Sequence, residues 1–489
     1  MLPSGADYVL VRFVFQRGLA VIYLFAFLVA VRQFCPLAGE DGLLPLSEYA
    51  ENASFRERPS LFYVYPDDRI VGLTAWVGVA LSLVALFAGP YWLPAPYALP
   101  ASMLLWLALW GLYQSFVNAG RVFYGYGWES MLLETGFLAV FLGAGASNPP
   151  VVVIWLLKWL LFRNMFGAGL IKIRGDDCWR DLTCMDHHYE TQPMPNPVSW
   201  FAHHLPERFH RVEVLGNHVV ELAVPFLYFA PQPYATAAGV ATIGFQAWLV
   251  FTGNFSWLNA LTIVQAVATF SDGVLTAVAP VAAPAAVSPP LALTVLAVLV
   301  AVLVVAMSVR PVVNMLSPTQ VMNTSFDPLN LVNTYGAFGS ITRDRYQLVI
   351  EGTDAENPAE DDWTAYDCKG QPVRTDERPS QWAPYHLRLD WQLWFAAMRP
   401  RPGRRQRWLL ELLEALLEGD EGARSLMGSD PFPDGPEWVR VLRYRYRFTT
   451  PEERAETGDW WERERVGTYV APVSLADLQG GLGRRTVVR

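Results

Sequence analysis

Long apolar segments constrain this chain more than any other feature of its sequence. A helix that crosses a bilayer needs about 20 mostly apolar residues, and the chain holds a series of segments near or above that length. The candidate spans are Val9–Val31, Ile70–Ala88, Ala98–Val117, Ser130–Ala144, Val151–Ile171, Val214–Ala230, Ala235–Thr252, Leu258–Ala279 and Leu291–Met307. We therefore predict a mainly α-helical, polytopic membrane protein with about eight or nine transmembrane helices. Ser130–Ala144 is short and flanked by glycine, which is also compatible with a tilted or interfacial helix.

The composition favours a lipid environment and argues against several other classes of protein. Hydrophobic residues make up 52% of the chain and charged residues 17%, whereas a soluble domain carries about 25% charged residues. The 19 Trp, 20 Tyr and 27 Phe suit the aromatic belts at membrane interfaces. The formal net charge of −9 argues against a nucleic-acid partner. The four Cys are too few for a disulfide scaffold.

A change in composition after Arg310 divides the chain into two predicted domains. Residues 1–310 would form the transmembrane domain, and we expect its first span to be retained because no signal-peptide cleavage site is evident. Residues 311–489 are charged and rich in Trp and Arg, and we predict a soluble, β-rich C-terminal domain there. Its candidate strands are Arg343–Glu351, Trp382–Trp391 and Trp438–Thr449, and its candidate amphipathic helix is Arg407–Leu417.

The segment after the fifth apolar stretch is rich in residues that carry chemistry. Gly167–Pro206 reads GAGLIKIRGDDCWRDLTCMDHHYETQPMPNPVSWFAHHLP and holds four of the chain's seven His and two of its four Cys. Pro193, Pro195 and Pro197 prevent a continuous helix and impose turns. A charged, solvated loop at the membrane surface is one interpretation. The combination of Cys, paired His, Trp and Pro favours a shaped site or docking surface, and we call residues 172–211 the polar loop.

Ionisable residues inside apolar spans are costly in lipid and therefore mark candidate sites. We expect Glu134, Lys158, Arg163 and His218 to be buried polar groups of the bundle. His218 and Glu221 lie one helical turn apart and share a face. We expect Glu134 to pair with Arg163 and Glu221 to pair with Lys158. These would be either structural ion pairs that fix helix register or a buried polar site open to one face.

Lys172 and the paired histidines are the candidates for acid–base chemistry. Lys172 ends an apolar helix, where desolvation can lower the pKa of an amine and make it a base, although such a lysine can equally extend to the interface. His187 and His188 would point in opposite directions on an extended chain. Cys178 and Cys184 have a spacing that is unusual for zinc, and we predict no metal and no cofactor. Their thiols are either joined in a disulfide, in an oxidising compartment, or free.

Several long sequence words resemble those of the lipase maturation factor family. The main one is DDCWRDLTCMDHHYETQPMPNPVSWFAHHLP in the polar loop. Further words lie at Gly125–Leu142 (GYGWESMLLETGFLAVFL), Leu215–Pro231 (LGNHVVELAVPFLYFAP), Gly244–Ile263 (GFQAWLVFTGNFSWLNALTI) and Asn333–Asp354 (NTYGAFGSITRDRYQLVIEGTD). The resemblance implies a protein that helps secreted lipases to fold and assemble into active dimers. It also implies the endoplasmic reticulum membrane in eukaryotic relatives, and the cell membrane in a bacterial member.

A shorter word, AGLIKIRGDDCW at Ala168–Trp179, resembles the membrane domain of vitamin K-dependent gamma-glutamyl carboxylase. That family uses a lysine at this place as a base, and Lys172 falls on it. The resemblance implies a shared membrane fold more than shared chemistry. It supplies an alternative hypothesis, an enzyme that acts on a lipid or peptide with Lys172, His187, His188 and Glu221 as acid–base residues.

The maturation-factor hypothesis needs a docking surface for a secreted lipase or another exported client. We assign to it Asp177, Trp179, Arg180, Asp181, His187, His188, Tyr189, Glu190, Asn196, Trp200, Arg343 and Arg345. A purely structural subunit is a third possibility. A deep cavity lined by Lys172, Glu134, His218 and Glu221 would favour the enzyme, and a polar loop packed on the C-terminal domain would favour the maturation factor. The sequence has no phosphate-binding glycine loop, nucleophile elbow or HExxH motif, which disfavours an enzyme.

Overall fold

The computed structural model describes residues 5–50, 54–145, 147–278, 287–403 and 406–480, most of which are helical. The helices are α1 Val9–Ala38, α2 Leu46–Ala50, α3 Asp68–Leu86, α4 Ala95–Ala119, α5 Gly127–Ala139, α6 Val151–Arg174, α7 Asp177–Arg180, α8 Met185–Thr191, α9 Ser199–His203, α10 Glu207–His218, α11 Tyr234–Thr252, α12 Leu258–Ala266, α13 Asp272–Val278, α14 Leu291–Met307, α15 Val309–Leu316, α16 Arg388–Ala397, α17 Arg407–Leu417, α18 Glu421–Leu426, α19 Pro451–Thr457 and α20 Leu475–Gln479. Helix α10 continues through a π-turn, Val219–Ala223, and a 3₁₀ turn, Val224–Phe229.

Six helical segments of the described chain are long and apolar enough to cross a membrane. They are Gly5–Ala38, Asp68–Leu86, Val151–Arg174, Glu207–Phe229, Tyr234–Thr252 and Leu291–Leu316. The pair Leu258–Thr269 and Asp272–Val278 is bent by 111° and adds a seventh if it is one broken span. The prediction of a polytopic helical membrane protein is confirmed, whereas the predicted count of about eight or nine spans is not.

The difference in count comes from three of the predicted spans. The end of α4 carries polar side chains that bond to a loop, as when Asn118 Nδ2 donates to the carbonyl of Pro59 at 2.8 Å. Helix α5 has 13 residues, and its length of about 20 Å is less than the roughly 30 Å of a bilayer core. It is buried along most of its length and is a core helix of the bundle. The third is Leu258–Ala279, which is broken and whose last residue lies outside the described chain.

Helix α1 lies in the core of the bundle and is packed mainly by aromatic side chains. The ring of Phe27 contacts those of Tyr113 and Phe116 at centroid distances of 5.4 and 6.0 Å, with edge-to-face geometry. Phe34 contacts Phe116 at 5.0 Å in the same way. Such pairs add stability beyond the area that they bury. They fix α1 against α4 and give the bundle a rigid centre.

The C-terminal domain contains a four-stranded antiparallel sheet with strand order β2-β1-β3-β4. The strands are β1 Arg345–Thr353, β2 Thr364–Ala365, β3 Trp438–Phe448 and β4 Trp461–Val473. Strands β1 and β3 pair from Arg345 opposite Tyr446 to Thr353 opposite Trp438. The strands predicted at Arg343–Glu351 and Trp438–Thr449 and the helix predicted at Arg407–Leu417 are confirmed.

The strand predicted at Trp382–Trp391 is wrong, because this segment turns and enters α16. Its alternating aromatic residues face the bundle: the rings of His386 and Trp391 lie 5.2 and 4.9 Å from the ring of Trp128. The alternation therefore reflects docking between domains. Strand β4 escapes prediction because residues 462–466 are all exposed and lack the alternation of a half-buried strand.

Buried polar contacts join the C-terminal domain to the bundle. Arg388 Nη1 lies 2.8 Å from Glu129 Oε1 and donates to the carbonyl of Phe123 at 2.6 Å. Gln33 Nε2 donates to the carbonyl of His386 at 2.8 Å, and Gln33 Oε1 accepts from the Arg388 backbone at 3.0 Å. A buried ion pair is costly unless its hydrogen bonds are satisfied. These contacts therefore favour one placement of the C-terminal domain on the bundle.

Candidate functional site

The polar loop is folded around a disulfide and tied to the C-terminal domain. The disulfide joins Cys178 to Cys184 and closes the turn between α7 and α8. The Asp176 carboxylate accepts from Arg343 at 2.8 and 3.2 Å and from the Cys178 backbone at 3.0 Å. Although burial opposes it, these hydrogen bonds lower the pKa of Asp176. In the part of the chain that the structure describes, no group of three or more His, Cys, Asp or Glu is placed to hold a metal ion.

His187 and His188 lie on helix α8, not on extended chain, so their side chains diverge by about 100° and do not point in opposite directions. His188 is 6% exposed. Its ring lies 5.9 Å from the ring of Phe255 and 5.6 Å from that of Phe338. Burial, assisted by the charge of Lys172, lowers the pKa of His188 to about 4, so its imidazole is neutral at neutral pH. Burial also lowers the pKa of His187, which is partly exposed.

Lys172 and Glu221 form a buried ion pair at the end of α6. Lys172 Nζ lies 2.6 Å from Glu221 Oε1 and 2.9 Å from Asn217 Oδ1. Asn217 Nδ2 donates to Glu221 Oε2 at 2.8 Å. The predicted pairing of Glu221 with Lys158 is wrong, because Lys158 lies about 20 Å back along α6. Its ammonium lies 5.6 Å from the ring centre of Trp155.

A cavity of about 410 Å³ lies beside this ion pair, and we call it the membrane cavity. Its polar lining is Asn164, Lys172, His188, Glu213, Asn217, Glu221, Gln246, Asn259 and Thr262. Its apolar lining includes Met165, Ala168, Trp179, Met185, Val220, Phe245, Trp248, Leu249, Phe255, Leu258 and Phe338. His218 is only partly buried, and its Nε2 lies 2.9 Å from the carbonyl oxygen of Trp179. The groups expected to meet in one cavity are therefore divided, since Lys172 and Glu221 line it and His218 and Glu134 do not.

Glu134 and Arg163 form a second buried ion pair in the bundle. Arg163 Nη1 also donates to the carbonyl of Asn333 at 2.6 Å. Glu134 Oε2 accepts from Tyr335 Oη at 2.7 Å and from the Asn333 backbone at 3.1 Å. All of these groups are buried. The network anchors in the bundle the segment that leads into the C-terminal domain.

Most residues of the predicted docking surface are buried in the joint between the polar loop and its neighbours. Trp200 Nε1 donates to the carbonyl of Thr449 at 2.8 Å, and Arg345 Nη1 donates to that of Gln192 at 2.6 Å. Trp179, His188, Tyr189, Asn196 and Arg345 are buried, Trp200 is 6% exposed, and His187 and Glu190 are partly buried. The exposed members are Asp177, Arg180, Asp181 and Arg343. Most of these side chains connect the bundle to the C-terminal domain, and the docking role of the set stays a prediction.

Glu190 lies on α8 but faces the C-terminal domain. Its Oε2 accepts from the backbone N–H of Phe448 at 2.7 Å. Burial raises the pKa of Glu190 to about 7, although this hydrogen bond acts in the opposite direction. One short helix therefore holds a neutral histidine in the membrane cavity and a carboxyl at the domain joint that titrates near neutral pH.

A second cavity, of about 350 Å³, lies between the bundle and the C-terminal domain, and we call it the aromatic cleft. Its lining includes Tyr126, Trp128, Met131, Met322, Tyr335, Phe338, Trp391, Gln392, Trp394, Phe395 and Met398. Met322, Phe395 and Met398 are 42%, 40% and 39% exposed. The sequence carried a signal for this cleft, because Trp391, Trp394, Phe395 and Met398 recur at the spacing of one helix face. This helical spacing was missed because Trp391 had been assigned to the predicted strand Trp382–Trp391.

Phe338 lines both cavities, as do Asn164, Leu258 and Ala337. Its carbonyl accepts from Trp179 Nε1 at 2.9 Å. Its φ of +54° lies in the left-handed region, which is unusual for a bulky residue and persists only where the surrounding structure enforces it. The membrane cavity and the aromatic cleft therefore share a wall whose backbone is held in a strained conformation.

Comparison with known proteins covers most of the chain. The family model of the lipase maturation factor transmembrane domain matches residues 10–277, and that of the lipase maturation factor C-terminal domain matches residues 331–471. The chain is 42% identical to Lipase maturation factor 1 of Bos taurus, over 96% of this chain and 90% of that protein. It is 42% identical to Lipase maturation factor 1 of Homo sapiens, over 96% and 89%, and 28% identical to Lipase maturation factor 2 of Homo sapiens, over 95% and 83%.

No solved structure matches the chain. The comparisons give no support to the carboxylase resemblance of Ala168–Trp179. The family models and the relatives agree over both the bundle and the C-terminal domain. This chain belongs to the lipase maturation factor family.

Proposed function

We propose that this multi-pass membrane protein assists the folding or assembly of a secreted lipase or another exported client. The names of its relatives supply the class of client. The aromatic cleft is the structural observation that carries the proposal, because it offers a partly folded chain an apolar surface at the joint of the two domains.

The aromatic cleft combines a rigid support with adaptable contact groups. Gln392 Nε2 donates to the carbonyl of Val122 and to Tyr126 Oη, both at 2.8 Å, which fastens α16 to the bundle. The exposed Phe395 and Met398 project from this fixed helix. Methionine fills irregular apolar surfaces because it is flexible and polarisable. Such a surface suits clients whose sequences differ.

The disulfide of the polar loop supports a particular compartment for this face of the protein. Disulfides such as Cys178–Cys184 persist in oxidising environments. The polar loop and the C-terminal domain contact each other directly, as through Trp200 and Thr449, and so share that side. We therefore propose that both face the lumen of the endoplasmic reticulum in a eukaryotic cell, or the outer side of the cell membrane in a bacterium. Exported lipases pass through either compartment.

The contacts of Lys172 do not favour an enzymatic role. Its ammonium donates to Glu221 and Asn217, so it is held by hydrogen bonds within the protein. A general base needs the opposite condition, namely a free lone pair close to a substrate proton. The polar loop packed on the C-terminal domain is the arrangement that we expect of a maturation factor.

Secretion of a dimeric lipase by cells that lack their own maturation factor tests the proposal. Co-expression of the wild-type chain should restore the secreted activity per lipase molecule. At matched expression, Phe395→Ser should reduce that activity by about tenfold if the ring is a contact hot spot. The control is Val466→Ser on β4, which changes a residue that is 50% exposed and should leave the activity unchanged. Equal activity of the Phe395→Ser and wild-type chains would contradict the role of the cleft, and no rescue by the wild type would contradict a lipase client.

A further inference from the structure

The membrane cavity has no part in the proposed function, yet it has the features of a ligand site. We propose that it binds a single-chain membrane lipid with an uncharged, hydroxyl-bearing head group, which enters from the bilayer between α10 and α11. A monoacylglycerol has this chemistry. The proposal stands whether or not the protein assists lipases, because it rests on the cavity alone.

The entrance of the cavity lies between two membrane spans. Gly216 and Gly244 line the cavity from the two sides, and both are exposed. A Cβ atom added at either glycine would meet nothing within 4 Å, so there is open space beside both helices there. The neighbouring Leu215, Val219 and Val240 are 54%, 50% and 55% exposed. In helices apolar enough to span a membrane, such exposed side chains face lipid, so the opening faces lipid as well.

The lining of the cavity includes the His188 imidazole and one carboxylate oxygen of Glu213, which lack a hydrogen-bond partner in the described chain. The His188 imidazole is buried, lines the cavity and makes no hydrogen bond there. Glu213 Oε1 accepts from Tyr189 Oη at 2.5 Å and from Trp248 Nε1 at 2.8 Å, but Glu213 Oε2 is buried and unpaired. Buried polar atoms are rarely left unpaired. A hydroxyl can donate to the carboxylate and can either donate to or accept from the imidazole, which suits both groups.

The charges around the cavity favour an uncharged head group. The ammonium of Lys172 is already neutralised by Glu221. Glu213 adds a further carboxylate, so an anionic head group would enter with no free cation to pair with. A cationic head group would have to leave water, and the desolvation cost of an ion is repaid only where the pairing geometry is excellent. An alcohol or ester avoids both penalties and can still form the hydrogen bonds described above.

The remaining walls suit one aliphatic chain. They are formed by Met165, Ala168, Val220, Phe245 and Leu249, which line the cavity together with the polar groups. The volume of about 410 Å³ lies at the lower end of the roughly 300–1,000 Å³ that small-molecule sites occupy. Glu221 lies in a π-turn, a distortion that is frequent at functional sites. Its carboxylate holds Lys172 beside the cavity.

Photolabelling of the purified full-length protein in phosphatidylcholine nanodiscs tests the proposal. The probe is a monoacylglycerol with a photoreactive group on its chain, and the readout is the amount of label on α10 and α11. Unlabelled monooleoylglycerol should compete, whereas oleic acid and oleylamine should not. Gly244→Leu should obstruct the entrance and reduce the label by about tenfold. Gly72→Leu is the matched control, because a side chain at this glycine of another span also meets nothing within 4 Å.

A second variant tests the polar lining separately. His188→Phe keeps a ring next to Phe255 but removes the nitrogen atoms, and it should reduce competition by monooleoylglycerol about tenfold, as expected for a lost buried hydrogen bond. Equal labelling of the Gly244→Leu and Gly72→Leu proteins would place the lipid outside this cavity. Competition by oleic acid or oleylamine as strong as that by monooleoylglycerol would overturn the assignment of an uncharged head group. No client is present in the assay, so its failure is distinct from failure of the maturation role.

Discussion

The two ion pairs of the bundle have the same chemistry but different surroundings. Arg163 and Glu134 are enclosed by Asn333 and Tyr335, which add hydrogen bonds to both partners. Lys172 and Glu221 share one amide and otherwise border the membrane cavity. A buried charge in a membrane span is therefore not by itself a sign of a binding site. The open space next to the second pair, and the unpaired groups around that space, distinguish the two.

The largest effect is expected from Arg163→Met. This change leaves the Glu134 carboxylate buried without its cation, and breaking a buried pair in this way destabilises a protein by roughly 3–5 kcal/mol. The free energy of unfolding of the purified protein in mixed lipid–detergent micelles measures it. Lys172→Met is the matched variant and should have a smaller effect, because Glu221 borders a cavity, whereas Glu134 is fully enclosed by protein. Equal losses of unfolding free energy in the two variants would contradict the difference between the enclosed ion pair and the pair beside the cavity.

The His188 imidazole in the membrane cavity should make the free energy of unfolding depend on pH by about 3 kcal/mol. The folded-state pKa of His188 is lowered to about 4, whereas the pKa of an unfolded histidine is about 6.5. Between these values the unfolded state binds a proton that the folded state does not, so stability falls as the pH decreases through this window and is unaffected above it. His188→Phe should abolish this part of the pH dependence. An unchanged acid limb of the stability–pH curve in His188→Phe would show that the imidazole is not buried as described.

Removal of the disulfide should destabilise the wall of the membrane cavity and leave the aromatic cleft unaffected. Cys178 and Cys184 are six residues apart, and closing so short a loop contributes about 2 kcal/mol. The closed turn carries Trp179, which lines the membrane cavity and is absent from the aromatic cleft. Cys178→Ser with Cys184→Ser should therefore increase hydrogen exchange in α7 and α8 and leave that of α16 unchanged. Equal increases in both regions would show that the disulfide stabilises the whole joint.

The apolar patterns of the sequence were sufficient for the general fold. Segments such as Val151–Ile171 are long and mostly apolar, and polar and apolar residues alternate in β1 and β3, although β1 is buried on both faces. The predicted number of spans was too high because apolar content does not distinguish a helix in lipid from α5, which is surrounded by protein. The strand predicted at Trp382–Trp391 was wrong because its aromatic residues contact the bundle. Such a tertiary contact cannot be recognised from the local sequence pattern.

The sequence identified several residues of the candidate site but not the contacts between them. The sequence marked Lys172, His188 and Glu221 as unusual residues, and the structure brings them to one cavity. It could not assign the partner of Glu221, because the choice between Lys158 and Lys172 depends on how far α6 and α10 overlap. The polar loop appeared to be a surface because it is charged. Most of its side chains are instead buried in contacts with the C-terminal domain, and the sequence alone does not show these contacts.

A second pH effect is expected at the other side of α8, and its sign is opposite to that of His188. The folded-state pKa of Glu190 is raised to about 7, above the value of about 4.3 for an unfolded glutamate. Stability is therefore unaffected at low pH and falls as the pH rises through this window, because burial disfavours the charged carboxylate. Glu190→Gln retains an oxygen that can accept from Phe448, and it should increase the free energy of unfolding by roughly 3–4 kcal/mol at about pH 8 and by nearly nothing at about pH 4. A loss of stability at the higher pH would mean that the domain joint requires the charge, and the contrast between the two faces of α8 would then be wrong.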